Sequence, residues 1–106
     1  MINPNDYFKF PCKKCCEEIR KRLARNNINL KFNSSHFNLF CKYYKIKDNT
    51  ELCYVNNMYY QPQYSYSLKA IDFIVSEIKK DPENIIQNLK AKIKSQPQGQ
   101  RNSNQK

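Results

Sequence analysis

Five cysteines and a single histidine are the residues of this 106-residue chain whose types and spacing could do chemistry. Cys12 and Cys15 form a C-x2-C pair, a spacing that lets two thiolates reach one zinc ion. Two completions of a tetrahedral site exist, one adding His36 and Cys41, the other Cys41 and Cys53. The expected metal ligands are therefore Cys12, Cys15, Cys41 and Cys53, with His36 as the alternative ligand. Neither set contains a second C-x2-C or an H-x3-H knuckle. The competing reading is burial, because a free cysteine behaves as a small apolar side chain. Cys12, Cys15, Cys16, Ile19 and Leu23 recur at i, i+3, i+4, i+7 and i+11, one helical stripe, and cysteines placed there need no metal.

The same residues give little to a covalent mechanism. His36 and Cys41 are five apart, about 140° around a helix axis, which does not support a nucleophile–base pair. Glu17 and Glu18 are neighbours and point in different directions. Asp72 and Glu77 fall on the polar side of their helix. A phosphate-cradling glycine loop is excluded in the body of the chain, since the only glycine is Gly99. The expectation is that the protein is not an enzyme.

Charge is distributed unevenly. The formal net charge is +10. Residues 1–47 carry 11 Lys/Arg against 3 Asp/Glu, whereas residues 48–94 carry 6 of each. Such asymmetry points to an anionic partner. Lys13, Lys14, Arg20, Lys21, Arg22 and Arg25 make a basic face on the first helix. Lys42, Lys45 and Lys47 extend the charge, and Tyr54 and Tyr59 are placed to stack on bases. These eleven residues are the expected nucleic-acid contacts, to DNA or RNA.

The elements that must position them follow from periodicity and punctuation. Pro11 opens a helix that Asn26 and Asn27 stop. Ile28–Phe32 alternates as a short strand would. Ser34 or Ser35 then caps a second helix over roughly 36–46, whose apolar content requires packing on more than one side or a partner. Asn56-Asn57 marks a hairpin turn pairing Val55 with Met58, Tyr54 with Tyr59 and Cys53 with Tyr60. That register puts Cys53, Val55, Met58 and Tyr60 on the core face and Tyr54 and Tyr59 outside. Pro62 confines the second strand to an edge. Ser67 caps a third helix to about Lys80, and Asp81-Pro82 opens a fourth with a stripe of Ile85, Ile86, Leu89 and Ile93. From Ser95 on, polar residues dominate and a disordered tail is expected.

The fold class expected is α+β, mostly helical, with about four helices and one β-hairpin. The unit is one domain over 1–94 with a tail over 95–106. The order helix, strand, helix, hairpin resembles part of a winged-helix unit, lacking one of its usual three helices. The resemblance implies that the second helix enters a DNA groove and the hairpin acts as the wing. The functional expectation is a non-catalytic nucleic-acid-binding module. The alternative is a small subunit docking into a larger complex through residues 67–80 and 82–94. No apolar run approaches the roughly 20 residues that span a bilayer, and Met1–Asp6 is polar. An intracellular location, cytoplasmic or nuclear, without membrane contact is therefore expected, and an odd cysteine count there favours thiols or a metal over disulfides.

Overall fold

The computed structural model describes residues 7–58 and 60–95. Helix α1 spans Cys12–Arg25, α2 spans Ser34–Tyr44, and a 3-10 turn covers Ile46–Asp48. Strands β1 (Cys53–Met58) and β2 (Gln61–Tyr66) form an antiparallel hairpin, followed by α3 (Leu68–Lys80) and α4 (Ile85–Ser95). The mostly helical α+β class is as expected, with four of these helices and one hairpin. The expected tail lies, beyond Ser95, outside the described residues.

Helix α1 buries the stripe read from the sequence: Cys15, Cys16, Ile19 and Leu23. It ends without glycine. Asn27 takes φ 59°, its N–H donates to the Ala24 carbonyl, and the Ile28 N–H donates to the Leu23 carbonyl. That pair of bonds is a Schellman closure with asparagine in the left-handed position. It turns the chain away, and residues 28–33 form no strand. The expected strand at Ile28–Phe32 is corrected accordingly. Alternation alone cannot make a strand without a neighbouring edge to pair with. The segment is instead held by Arg20, whose Nη1 donates to the Phe32 carbonyl at 2.6 Å.

The cap of α2 is Asn33, rather than Ser34 or Ser35. Its side chain accepts from the His36 N–H at 3.1 Å, and its own N–H donates to His36 Nδ1 at 3.4 Å. This is a capping box in which histidine fills the place usually taken by Glu or Gln. Lys45, at φ 54°, closes the helix in the left-handed region. Phe37, Phe40 and Cys41 are buried, and Leu39, Tyr43 and Tyr44 pack partly against the same core. The over-apolar helix is thus covered on more than one side by its own chain.

The hairpin register differs from the one expected. Cys53 pairs with Tyr66, Val55 with Tyr64 and Met58 with Gln61, so the strands run on past Asn56-Asn57 and that pair is not the turn. Burial decides this. The longer register brings Tyr66 into the core, 2% exposed, with its ring edge-on to Phe37 at 4.8 Å. Burying a side chain of this size contributes roughly 1.5–3 kcal/mol, more than the best turn residues would. Val55 and Tyr60, expected in the core, run past its edge and are 40% and 106% exposed. Tyr60 carries φ 65°, a cost of about 1–2 kcal/mol for a bulky residue. Pro62 sits opposite Asn57, where the ladder must do without its missing N–H. Phe10 forms a bridge to the other edge of β2, exchanging two backbone bonds with Tyr66 at 3.2 and 2.7 Å.

Ser67, fully buried, caps α3 by accepting from the Ala70 N–H and donates its hydroxyl to the Glu51 carbonyl at 2.7 Å. Helix α4 begins at Ile85, three residues later than Asp81-Pro82 suggests; Asp81 holds the preceding turn through its carbonyl. The two C-terminal helices do not pack mainly on each other. Helix α3 lies chiefly against α1, and α4 chiefly against α2. Ile71, Ile74, Ile78 and Leu89 are consumed by this core. Most of the apolar stripe on which docking through 67–80 and 82–94 was expected is thus taken up within the chain, while Leu68 stays 45% exposed. No described helix is long and apolar enough to cross a membrane.

Candidate functional site

Three expected contacts share one side of α1. Lys14, Lys21 and Arg25 recur at i, i+7 and i+11 and are exposed, so they form a single cationic stripe. The apolar stripe that ties α1 to the core fixes this face toward solvent. Lys14 lies 4.0 Å from Glu17, a weak surface pair that leaves the ammonium free for an anion.

Beside the stripe, the C-terminal half of α1 and the polar side of α3 enclose a groove of about 450 Å³ lined by Arg22, Arg25, Asn26, Asp72, Ser76 and Lys79, with Val75 at its base. Arg22 is its centre. Its Nε donates to Glu18 at 3.1 Å, and its Nη1 donates to Asp72. Burial pulls the guanidinium pKa down, but the hydrogen bonds to Glu18 and Asp72 outweigh it and leave the pKa raised. Arg25 and Lys79 remain as the groove's other cations. Three of the lining side chains are therefore cationic, and one of them is held by two carboxylates.

The structure separates the remaining expected contacts. Arg20 is committed to the Phe32 carbonyl. Lys13 is exposed beside a second cleft that it lines with Cys12 and Cys16. Lys42 is exposed on α2, Lys45 closes that helix, and Lys47 places its Nζ 4.4 Å over the Tyr64 ring. None of these lines the α1–α3 groove. Tyr54 is stacked on Phe8 at 5.7 Å, which occupies one face of its ring. Tyr59 lies outside the described residues.

Asp72, Ser76 and Lys79 are groove residues that were not among the expected contacts. Their signal was present, since they occupy i, i+4 and i+7 on the side of α3 opposite Ile71, Ile74 and Ile78. What the sequence could not show is that Asp72 meets Arg22.

The cysteines gather without forming a metal centre. Cys15, Cys16, Cys41 and Cys53 are buried and Cys12 is half-buried, all as free thiols. Among the described residues, no group of three or more His, Cys, Asp or Glu is arranged to hold a metal ion. The zinc expected at Cys12, Cys15, Cys41 and Cys53 therefore has no such arrangement behind it. Burial pushes the Cys16 thiol up to about 12 and Cys41 up to about 11. Cys15 is raised further by burial, and its Sγ donates to the Phe10 carbonyl at 3.5 Å. His36, the alternative ligand, is engaged in its capping box. Burial and the neighbouring Lys90 lower its pKa.

Comparison with known proteins adds one finding. Residues 3–90 match the family model described as the EC042_2821-like Restriction Endonuclease-like domain. No curated protein and no solved structure matches the chain. An endonuclease-like family overturns two expectations from the sequence, that the protein is a non-catalytic binding module and that it is not an enzyme. The reason both failed is physical. Both rested on the lack of a compact catalytic motif, and groups brought together from distant elements leave no local signature of that kind.

Proposed function

The chain belongs to the EC042_2821-like Restriction Endonuclease-like domain family, and we propose that it acts on duplex DNA as an endonuclease-type domain directed at phosphodiester linkages. The family match over residues 3–90 is the observation that carries this reading. The α1 stripe and the α1–α3 groove support it. Lys14, Lys21 and Arg25 neutralise backbone phosphates, a contribution that is insensitive to base sequence. Arg22, held by Glu18 and Asp72, presents a pre-oriented guanidinium, and Lys79 adds charge from α3. Fixed cations of this kind stabilise the negative charge that grows on a phosphodiester during cleavage.

Nucleases of this kind imply a divalent metal, and among the described residues no group of three or more His, Cys, Asp or Glu is arranged to hold one. Glu18 and Asp72 both serve Arg22. Glu77 accepts from Tyr44 at 2.9 Å and from Lys80 at 2.8 Å, and Glu51 accepts from Lys69 at 2.7 Å. No reaction step is therefore assigned to a metal.

The test is a supercoiled plasmid incubated with the protein and magnesium or manganese, together with fluorescence anisotropy on a labelled duplex. Nicking or linearisation is expected, along with binding whose affinity falls steeply with salt. Absence of both at about 50 mM salt would overturn the proposal.

A further inference from the structure

We infer that Cys12 and Cys16 form a binding site for a two-coordinate thiophilic cation, Cu(I) by its chemistry, in the cleft between α1 and the start of α2. The inference stands apart from the DNA-directed reading and uses none of the residues that carry it.

The two cysteines are four residues apart in the first turns of α1, so their side chains leave the same side of the helix. Both line a cleft of about 400 Å³, together with Lys13, Glu17, Arg20 and Ser34. Cys12 is half-buried, Cys16 is 4% exposed, and their thiols interact directly. Cys15 is placed differently. Its Sγ donates to the Phe10 carbonyl at 3.5 Å, and it does not line the cleft.

A disulfide does not suit this pair. Helical residues four apart hold their Cβ atoms about 5–6 Å from each other, whereas a disulfide needs about 3.5–4.5 Å. An ion between two sulfurs spans more. With metal–thiolate bonds of about 2.3 Å, as at zinc, it joins sulfurs up to about 4.6 Å apart. Zinc itself takes four ligands, and among the described residues no group of three or more His, Cys, Asp or Glu is arranged to hold an ion. Cu(I) is soft, is selected by thiolates, and is satisfied by two of them in line.

The charge also fits. Binding forms two Cu–S bonds and releases two thiol protons, which leaves the centre with a single negative charge. Lys13 and Arg20 outnumber Glu17 on the wall of the cleft. Arg20 is fixed there by its bond to the Phe32 carbonyl.

The experiment titrates copper-free protein with Cu(I), without oxygen, against a coloured Cu(I) chelator. Native protein should withdraw about one equivalent from the chelator and release about two protons into a weakly buffered solution. Losing a mere hydrogen-bond partner of a metal ligand costs about 10–100-fold in affinity, so Cys12→Ser and Cys16→Ser, which lose a ligand, should each cost at least about a hundredfold. Cys53→Ser, outside the cleft, should stay within about threefold of native. Melting temperatures of the copper-free variants identify any that fail to fold, and Cys12→Ser, at a half-buried position, decides the matter if Cys16→Ser is one of them. Native protein that leaves the ion on the chelator would overturn the site, as would a Cys12→Ser variant that withdraws it equally well. A loss in folded Cys53→Ser as large as in Cys12→Ser would also overturn it. A loss in Cys15→Ser that Cys16→Ser does not share would overturn this pairing in favour of the C-x2-C pair.

Discussion

Arg22 on α1 reaches Asp72 on α3, a residue 50 positions away, while its Nε holds Glu18 one turn back on its own helix. The bond ties together the two helices whose apolar stripes make half of the core, and it sets the guanidinium in the groove. Its loss is therefore expected in both stability and binding.

Replacing Arg22 with Ala removes charge-assisted bonds to two carboxylates from a side chain that is 26% exposed. A destabilisation of about 1–2 kcal/mol is expected in urea denaturation. Asp72→Ala should cost less, about 0.5 kcal/mol, because Asp72 is 58% exposed and water replaces part of the interaction. Equal stability of Arg22→Ala and native protein would contradict the role given to this ion pair.

His36 makes stability depend on pH near neutrality. Burial first, then Lys90, lowers its pKa below the ordinary 6.5. The unfolded chain therefore takes up the proton before the folded one, so stability should fall as pH drops below about 6.5. Protonation would also remove the Nδ1 acceptor of the capping box. His36→Gln should keep the cap and flatten this pH dependence, and His36→Ala should cost about 0.5–1 kcal/mol at pH 7.5. Thermal melts from pH 5 to 8 provide the measurement.

Tyr44 and Glu77 set limits at the two ends of the pH scale. The hydrogen bond from Lys80 lowers the Glu77 pKa most, and Tyr44 lowers it further. A lowered carboxylate contributes stability above its unfolded value of 4.5, and this is lost as pH falls through the folded value. Tyr44 is raised to about 12, by burial and then by Glu77. Its contribution is complete below pH 10 and lost as pH rises toward 12. Tyr44→Phe should cost about 1 kcal/mol at neutral pH and remove the alkaline limb.

Thiol reactivity should divide the cysteines. Cys12 is half-buried, whereas Cys15, Cys16, Cys41 and Cys53 are buried with pKa values raised chiefly by desolvation. At pH 8, one thiol should react with an aromatic disulfide reagent within minutes and four only on unfolding. Several fast-reacting thiols, or a melting temperature that falls on chelation, would contradict burial as the reason for these residues.

The Lys14, Lys21 and Arg25 stripe predicts a salt response. Replacing all three with Ala should reduce the slope of log affinity against log salt by about 0.9 for each phosphate left without its cation. An unchanged slope would remove α1 from the DNA interface.

Helix content was legible because it is local. The stripe of Cys15, Cys16, Ile19 and Leu23 and the Ser67 cap both appear in sequence as they do in the fold. Register was not, because it depends on which distant residue wins a core position. Asn56-Asn57 is the better turn, yet burying Tyr66 against Phe37 carries the strands past it to Met58 and Gln61. The strand expected at Ile28–Phe32 failed for a related reason, since pattern cannot say whether an edge is available. In the candidate site, the basic side of α1 was readable from spacing. The clamp on Arg22 was not, because Asp72 joins it only through the packing of α3 on α1.

The bridge between Phe10 and Tyr66 joins the segment before the first helix to the end of the hairpin. Its two amides exchange hydrogen bonds across most of the folded chain. Closing so long a loop costs entropy that only the assembled helices and hairpin can offset. The bridge should thus form late on the folding route, after α1 and the hairpin exist separately. Phe10→Ala, which removes the side-chain packing that anchors this segment to the core, should leave the refolding rate nearly unchanged and speed unfolding.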